Sequence, residues 1–168
     1  MKDARYIFGE NIVPLKAPID SAGTAWATPY VDLKNALHAT FFAYFGVITA
    51  TSADQSVVIT MECSTAASSN ATEVAFAFNY RLSGATGANS WGAITAATAS
   101  GVAVTTTDDG KMIAVDVDPA ALQKAHGQDD VRYVRMVVGI DAGGTVTLNS
   151  AWAELDPRYP QLTQLSAT

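Results

Sequence analysis

Acidic side chains are the residues of this chain whose spacing could best support chemistry, because they occur in close pairs. Paired carboxylates can act as acid and base in glycoside hydrolysis or can bind calcium. Each pair, however, lies beside a turn or helix-cap signal, where aspartate is favoured because its side chain accepts backbone hydrogen bonds. The sequence therefore predicts caps and turns rather than a site. The pairs are Asp108/Asp109, Asp116/Asp118 and Asp129/Asp130.

Other residue types that do chemistry are scarce or poorly spaced. His38 and His126 are the two histidines, and neither stands at zinc-ligand spacing from a second candidate ligand. The sequence has no Gly-x-Ser-x-Gly motif for a serine nucleophile. Cys63 is the single cysteine, and its position on the apolar side of a predicted strand indicates a buried, inert thiol. We therefore predict no catalytic residue, no metal site and no cofactor: the chain is not expected to be an enzyme.

Length, composition and charge narrow the class of protein and of partner. A chain of 168 residues fits one domain with a substantial core. The net charge is −6 and the ten Lys and Arg residues are scattered, which disfavours nucleic acid or an anionic membrane as a partner. The N-terminus lacks the apolar segment of a signal peptide, and no run approaches the roughly 18 apolar residues of a spanning helix. We expect a protein made in the cytoplasm.

Short alternating runs indicate β-strands through the first half of the chain. Residues 56–64 and 73–82 alternate apolar and polar side chains, which predicts strands with one buried face. Residues 24–33 contain Pro29 and predict an edge strand. Residues 40–50 are apolar on both faces. Such a strand is either central and covered on both sides, or lies at a subunit interface.

The second half holds the clearest architecture. A turn at residues 108–110 is predicted to form a hairpin that pairs residues 111–117 back on a strand near residues 102–106. Asp118 is a helix N-cap, Pro119 is suited to the first helical position and Gly127 to a left-handed C-cap, which together predict one short helix.

Two final strands follow that helix. Residues 131–140 and 145–155 are β-rich and are separated by a Gly-containing turn, and Trp152 falls on the apolar phase of the second strand, which predicts a core residue. The strand count and turn spacing predict an all-β fold, a jelly-roll-like sandwich or barrel with one short helix.

Residues 1–25 are interpreted as an extended N-terminal arm, and residues 26–168 as a single β-sandwich domain. Pro14 and Pro18 exclude regular pairing in a central strand. The apolar patches of the arm are costly to leave in water, so they pack on this domain or on a neighbour; the alternative is a partly ordered terminus. Trp91, in a Gly-rich loop, either anchors an interface or folds back over its own domain. The candidate partner-binding residues are Tyr6, Ile7, Phe8, Ile12, Val13 and Trp91.

Residues 116–161 resemble the head decoration, or cement, proteins of tailed bacteriophages. The resemblance consists of Asp-x-Asp before a short helix, followed by RYVRMVVGID, GTVTLNSAWAEL and DPRYPQ. Upstream, an extended segment and an apolar strand (VPLKAPIDSAG, VDLKN, TFFAYFGVI) are similar in order and composition. The Gly- and Ala-rich loop at residues 83–100 has no counterpart in that pattern.

The resemblance implies a non-enzymatic, jelly-roll-like virion protein on the capsid exterior, made in the host cytoplasm. It implies two partners, the major capsid protein and further copies of the chain itself, with a homotrimer favoured. Such a protein clamps neighbouring capsid subunits against the internal pressure of the DNA. Two alternatives remain open: a carbohydrate- or receptor-binding module of a virion, which predicts exposed aromatic residues beside Asp or Asn on one face, and a head–tail or tail structural protein.

Overall fold

The computed structural model describes residues 11–21, 23–49, 57–68, 73–84, 86–140, 144–147 and 149–158. Within these ranges the chain forms fourteen β-strands, one 3-10 turn at Thr106–Asp108 and one α-helix, α1 (Pro119–His126). The strands are β1 (Asn11–Ile19), β2 (Trp26–Ala27), β3 (Val31–Asp32), β4 (Ala36–Tyr44), β5 (Ile48–Thr49), β6 (Val57–Ser64), β7 (Val74–Ala75), β8 (Phe78–Leu82), β9 (Thr95–Ala97), β10 (Val102–Val104), β11 (Met112–Val117), β12 (Tyr133–Ile140), β13 (Thr145–Val146) and β14 (Asn149–Pro157).

Two antiparallel sheets form the body of the molecule. The first sheet has six strands in the order β1-β14-β4-β11-β8-β9. The second has the order β10-β6-β12-β2, with β3 also paired to β12 and β7 to β6. A short β13-β5 pair forms a third sheet. The prediction of an all-β sandwich with one helix is confirmed, whereas the jelly-roll connectivity stays a prediction.

The core lies between the two large sheets because alternate residues of their strands point inward. Phe41 and Ile113 from the first sheet and Ile59, Met61 and Met136 from the second are all buried in one continuous cluster. Strand periodicity of two places every second side chain on this inner face. The inward positions expected for β6 and β11 are confirmed, since Val57, Ile59, Met61 and Cys63, and Ile113, Val115 and Val117, are all buried.

The helix follows its capping signals. The Asp118 side chain accepts a hydrogen bond of 2.9 Å from the Ala120 N–H, and Pro119 opens α1. Gly127 ends the helix in the left-handed conformation (φ 78°), with its N–H donated to the Gln123 carbonyl. Leu122 is the buried residue of the helix, so α1 lies against the sandwich by one apolar side chain. No helix among the described residues is long and apolar enough to cross a membrane.

Several predicted connections were wrong because the chain repeatedly crosses between sheets. β10 pairs with β6 in the second sheet and β11 with β4 and β8 in the first, so the expected hairpin between them does not form. The predicted single strand at residues 73–82 is broken into β7 and β8, which belong to different sheets. Alternation reports which face is buried but not which sheet receives the strand.

The N-terminal segment is partly a strand of the domain itself. β1 pairs with β14 at the edge of the first sheet, with irregular register between Pro14 and Lys16 and between Lys16 and Ile19. An edge position suits Pro14, which has no N–H to give to a second neighbour. The predicted edge strand at residues 24–33 is confirmed as two short pieces, β2 and β3, at the edge of the second sheet.

Candidate functional site

Among the described residues, the outer face of the first sheet carries a row of exposed and half-buried side chains that crosses five strands. Strand register aligns Pro14, Trp152, Phe42, Ala114 and Arg81 in one row across five neighbouring strands. The side chains at these positions are exposed or half-buried, while the residues that flank them along each strand include the buried core positions Phe41, Ala43, Ile113, Val115, Ala151 and Ala153. The row therefore points away from the core.

Three aromatic rings cluster on this outer face. Phe42 of β4 and Trp152 of β14 stack nearly parallel, with ring centroids 5.3 Å apart and planes 11° from parallel. Trp91 approaches the same Phe42 at 6.3 Å with its plane tilted by 58°. Stacked and tilted arrangements at these distances are favourable for aromatic rings. We call Phe42, Trp91 and Trp152 the aromatic cluster.

The aromatic cluster corrects the prediction for Trp152 and shows where Trp91 lies. Trp152 is not a core residue: Ala151 and Ala153 occupy the inward positions of β14, so Trp152 faces outward. Trp91 folds back onto its own domain through Phe42 but stays 41% exposed, with its backbone bridged to Ser83 at the end of β8. A ring held on one side and open on the other is suited to contact a ligand or partner.

A shallow cavity of about 270 Å³ adjoins the aromatic cluster. Register aligns Thr40, Asp116 and Asn79 in the row next to Phe42, Ala114 and Arg81, so three neighbouring strands make its floor. Its lining residues are Thr40, Asn79, Tyr80, Arg81, Ile94, Ala114 and Asp116. Ala114 lies between Phe42 on β4 and Arg81 on β8. Its side chain is a single methyl group, so the cavity stays open where a larger side chain would fill it.

One polar pair stands at the rim of that cavity. His38 Nδ1 and Asp116 Oδ1 lie 2.8 Å apart, and both side chains are about half exposed. The contact with Asp116 gives His38, on β4, a hydrogen-bonded role. Because a carboxylate oxygen only accepts, the His38 Nδ1–H donates to Asp116. The pair orients the Asp116 carboxylate, a hydrogen-bond acceptor, beside the cavity.

Asp108 and Asp109 serve the backbone, as the sequence indicated. Asp108 accepts from the Thr105 N–H and pairs with Lys111, whose Nζ lies 2.9 Å from its Oδ1. Asp109 accepts a 2.7 Å hydrogen bond from the Ile48 N–H. These bonds shape the 3-10 turn and tie it to β5. Across the described part of the chain, no group of three or more His, Cys, Asp or Glu side chains is placed to hold a metal ion.

A second polar cluster lies on the outside of the other sheet. Arg135 of β12 bonds Glu62 at 2.8 Å and Glu73 at 2.7 Å, and its guanidinium lies 4.9 Å from the centre of the Tyr30 ring. The Tyr30 hydroxyl donates to Glu73 at 2.6 Å. Burial, and then this hydrogen bond, raise the pKa of Tyr30 above its usual range. One arginine thus holds together β6, β12 and the segments that lead into β3 and β7, which is a structural role.

The predicted partner-binding residues lie in three different situations. Tyr6, Ile7 and Phe8 fall outside the described residues. Ile12 is exposed on the edge strand β1, opposite Glu154 of β14. Val13 is only 4% exposed and belongs to the core of its own domain, so its side chain does not contact a neighbouring subunit while β1 stays in place. The prediction for Val13 is therefore corrected.

Sequence reasoning missed the cavity and the outward position of two of the three residues of the aromatic cluster, Phe42 and Trp152. The two-sided apolar pattern of residues 40–50 was the available signal, because a strand that is apolar on its outer face needs something to cover it. The structure places β4 between β14 and β11, and the cover for Phe42 comes from Trp152 and Trp91. Cross-strand contacts of this kind depend on register, which the sequence alone does not reveal.

Comparisons of the chain with protein-family models, with curated proteins and with solved structures found no match.

Proposed function

We propose that this chain is a non-enzymatic structural protein of a virion, which binds the outer surface of the capsid and stabilises the lattice of the major capsid protein. The observation that carries the proposal is the apolar edge made by β1. Ile12 and Ile19 are 41% and 50% exposed on this edge strand, which follows closely after the apolar residues Tyr6, Ile7 and Phe8 in the chain. Both isoleucine side chains gain free energy by burial against a partner.

The edge favours contact through side chains over the addition of a further strand. Pro14 and Pro18 have no N–H to donate, and prolines on edge strands oppose pairing with another chain. An edge of this kind can pack on a capsid subunit without recruiting further copies into an open-ended sheet. This property suits a protein that must occupy defined lattice positions.

The resemblance of residues 116–161 to decoration proteins supports the same function. β14 lies within the stretch that resembles decoration proteins, and β1 is paired to it. The apolar edge therefore lies directly beside that stretch. In this proposal the chain is a homotrimer with jelly-roll-like connectivity, located on the capsid exterior. Contacts repeated at every lattice site, and strengthened by several linked copies, stabilise the shell through avidity.

The test measures copy number and edge-dependent binding. The virus that encodes the chain is purified, and the number of copies per particle is determined by mass spectrometry; hundreds are expected for a decoration protein. Particles that lack the chain are then incubated with purified protein and sedimented. Ile12→Lys should reduce co-sedimentation at least tenfold, because burial of a charge at the contact is costly. The new lysine faces Glu154, so the strand pair is preserved.

Ile94→Lys is the matched control, since Ile94 is 61% exposed near β9 at the opposite edge of the same sheet. It should bind particles like the wild type. A copy number of a dozen or fewer would assign the chain to the head–tail junction or tail instead. Equal loss of binding for both variants would show that β1 is not the contact.

A further inference from the structure

We propose that the cavity between β4, β11 and β8, together with Trp91, is a binding site for an uncharged oligosaccharide. The site takes a class of ligand that lattice stabilisation does not require, and it would give the particle an adhesive surface. It is defined by six residues: Thr40, Asn79, Arg81, Trp91, Ala114 and Asp116.

The lining chemistry favours a ligand with many hydroxyl groups. Asn79 and Thr40 each offer a donor and an acceptor, Arg81 offers only donors and the Asp116 carboxylate only acceptors. Hydroxyls can donate and accept in the same way, so a sugar can satisfy all four side chains at once. Donors and acceptors grouped around an otherwise apolar cavity are typical of small-molecule sites.

The balance of charge argues for an uncharged sugar. Arg81 would attract a phosphate, sulfate or carboxylate, but Asp116 lies in the same lining and repels anions. A cationic ligand would be attracted by Asp116 but repelled by Arg81. A neutral ligand avoids both conflicts, and hydrogen bonds to charged groups are stronger than those between neutral ones.

Trp91 extends the site beyond one sugar ring. The cavity, at about 270 Å³, is slightly smaller than the roughly 300–1,000 Å³ typical of ligand sites. Trp91 lies outside the lining but contacts Phe42, whose cross-strand partner Ala114 forms the floor. The exposed side of the indole can stack on the C–H face of a second ring. The ligand is therefore an oligosaccharide rather than a monosaccharide.

The site and the capsid-binding edge are separate. Three strands, β14, β4 and β11, lie between β1 and β8. At a strand spacing of about 4.8 Å, β11, in the middle of the cavity floor, lies roughly 14 Å from β1. A chain held on a lattice by β1 would thus keep the cavity free for a second ligand, and each activity can be lost without the other.

The experiment presents the fluorescently labelled full-length chain to an array of immobilised neutral, sialylated and sulfated oligosaccharides. Binding to one or more neutral structures is expected, and the Kd of the best one is measured by calorimetry. Ala114→Phe, which fills the cavity from its floor, should weaken binding by at least tenfold. Trp91→Ala and Asn79→Ala should each weaken binding about three- to tenfold, in line with the usual contribution of one stacked ring or one hydrogen bond.

Ala27→Phe is the matched control, because Ala27 is an exposed position on β2 of the other sheet, and it should bind like the wild type. Melting temperatures show whether each variant is folded, and Asn79→Ala, an exposed polar truncation, tests the site even if Ala114→Phe does not fold. Ile12→Lys should retain full glycan binding, which separates this proposal from capsid binding. The proposal is overturned if no neutral oligosaccharide binds, if only charged ones bind, or if folded Ala114→Phe or Asn79→Ala binds like the wild type.

Discussion

At the scale of single residues, Cys63 shows how burial alone fixes chemical behaviour. The thiol is fully buried on β6, and its Sγ lies 3.4 Å from the Val74 carbonyl oxygen, to which it donates. Burial raises the pKa of Cys63 to about 11, because the thiolate is poorly solvated there. The alternation of residues 56–64 predicted this inert thiol, and its burial confirms the position.

This pKa predicts a loss of stability at high pH. Because the folded-state value lies above that of the unfolded chain, the neutral thiol stabilises the fold fully below pH 9, and this contribution is lost as the pH rises from 9 towards 11. The free energy of unfolding, measured with urea, should therefore fall more between pH 8 and pH 11 for the wild type than for Cys63→Ala. The expected difference between the two decreases is about 1 to 2 kcal/mol. An equal decrease for both proteins would contradict the prediction.

At the scale of elements, the turns decide how strands pass from one sheet to the other. Gly101 ends the turn between β9 of the first sheet and β10 of the second, with φ at 88°. A Cβ atom at this position would lie 2.3 Å from the Ile59 carbonyl oxygen of β6. The crossing therefore needs glycine for two reasons, the left-handed conformation and the close approach of another strand.

The two reasons can be separated by a pair of substitutions. Gly127, at the end of α1, has φ at 78° but nothing within 4 Å of its added Cβ. Gly127→Ala should cost about 1 kcal/mol of unfolding free energy, the strain of the left-handed conformation alone. Gly101→Ala should cost at least about 2 kcal/mol more, because β10 or β6 must shift. Chemical denaturation of both variants measures the difference, and similar losses would rule out the close approach.

At the scale of the whole molecule, the β-sandwich domain includes β1 and so extends at least to Asn11. The sequence interpretation divided an arm at residues 1–25 from a domain at residues 26–168. The structure places Val13 and Leu15 in the core and pairs β1 with β14. Removal of residues 1–17 would therefore take two buried side chains from the core and leave β14 as an unprotected edge.

Two truncations test this boundary. Deletion of residues 1–10 keeps all strands that the structure describes and should change Tm by no more than a few degrees. Deletion of residues 1–17 should lower Tm by about 10 °C or more, since Val and Leu contribute about 1.5–3 kcal/mol each when buried and each kcal/mol is worth about 2–4 °C at this size. Calorimetry of the three proteins gives the comparison. Equal Tm values for both truncations would show that β1 is dispensable.

The sequence by itself determined the local features of this protein. The caps of α1, the inward positions of β6 and β11 and the role of aspartates in turns follow from interactions within a few residues or from a period of two along a strand. The tertiary structure alone decided which sheet receives each strand, and therefore that Trp152 faces outward against Phe42 and that Val13 is buried. Pairing partners and register join residues distant in the chain, so the cavity beside Trp91 has no signature in any one segment.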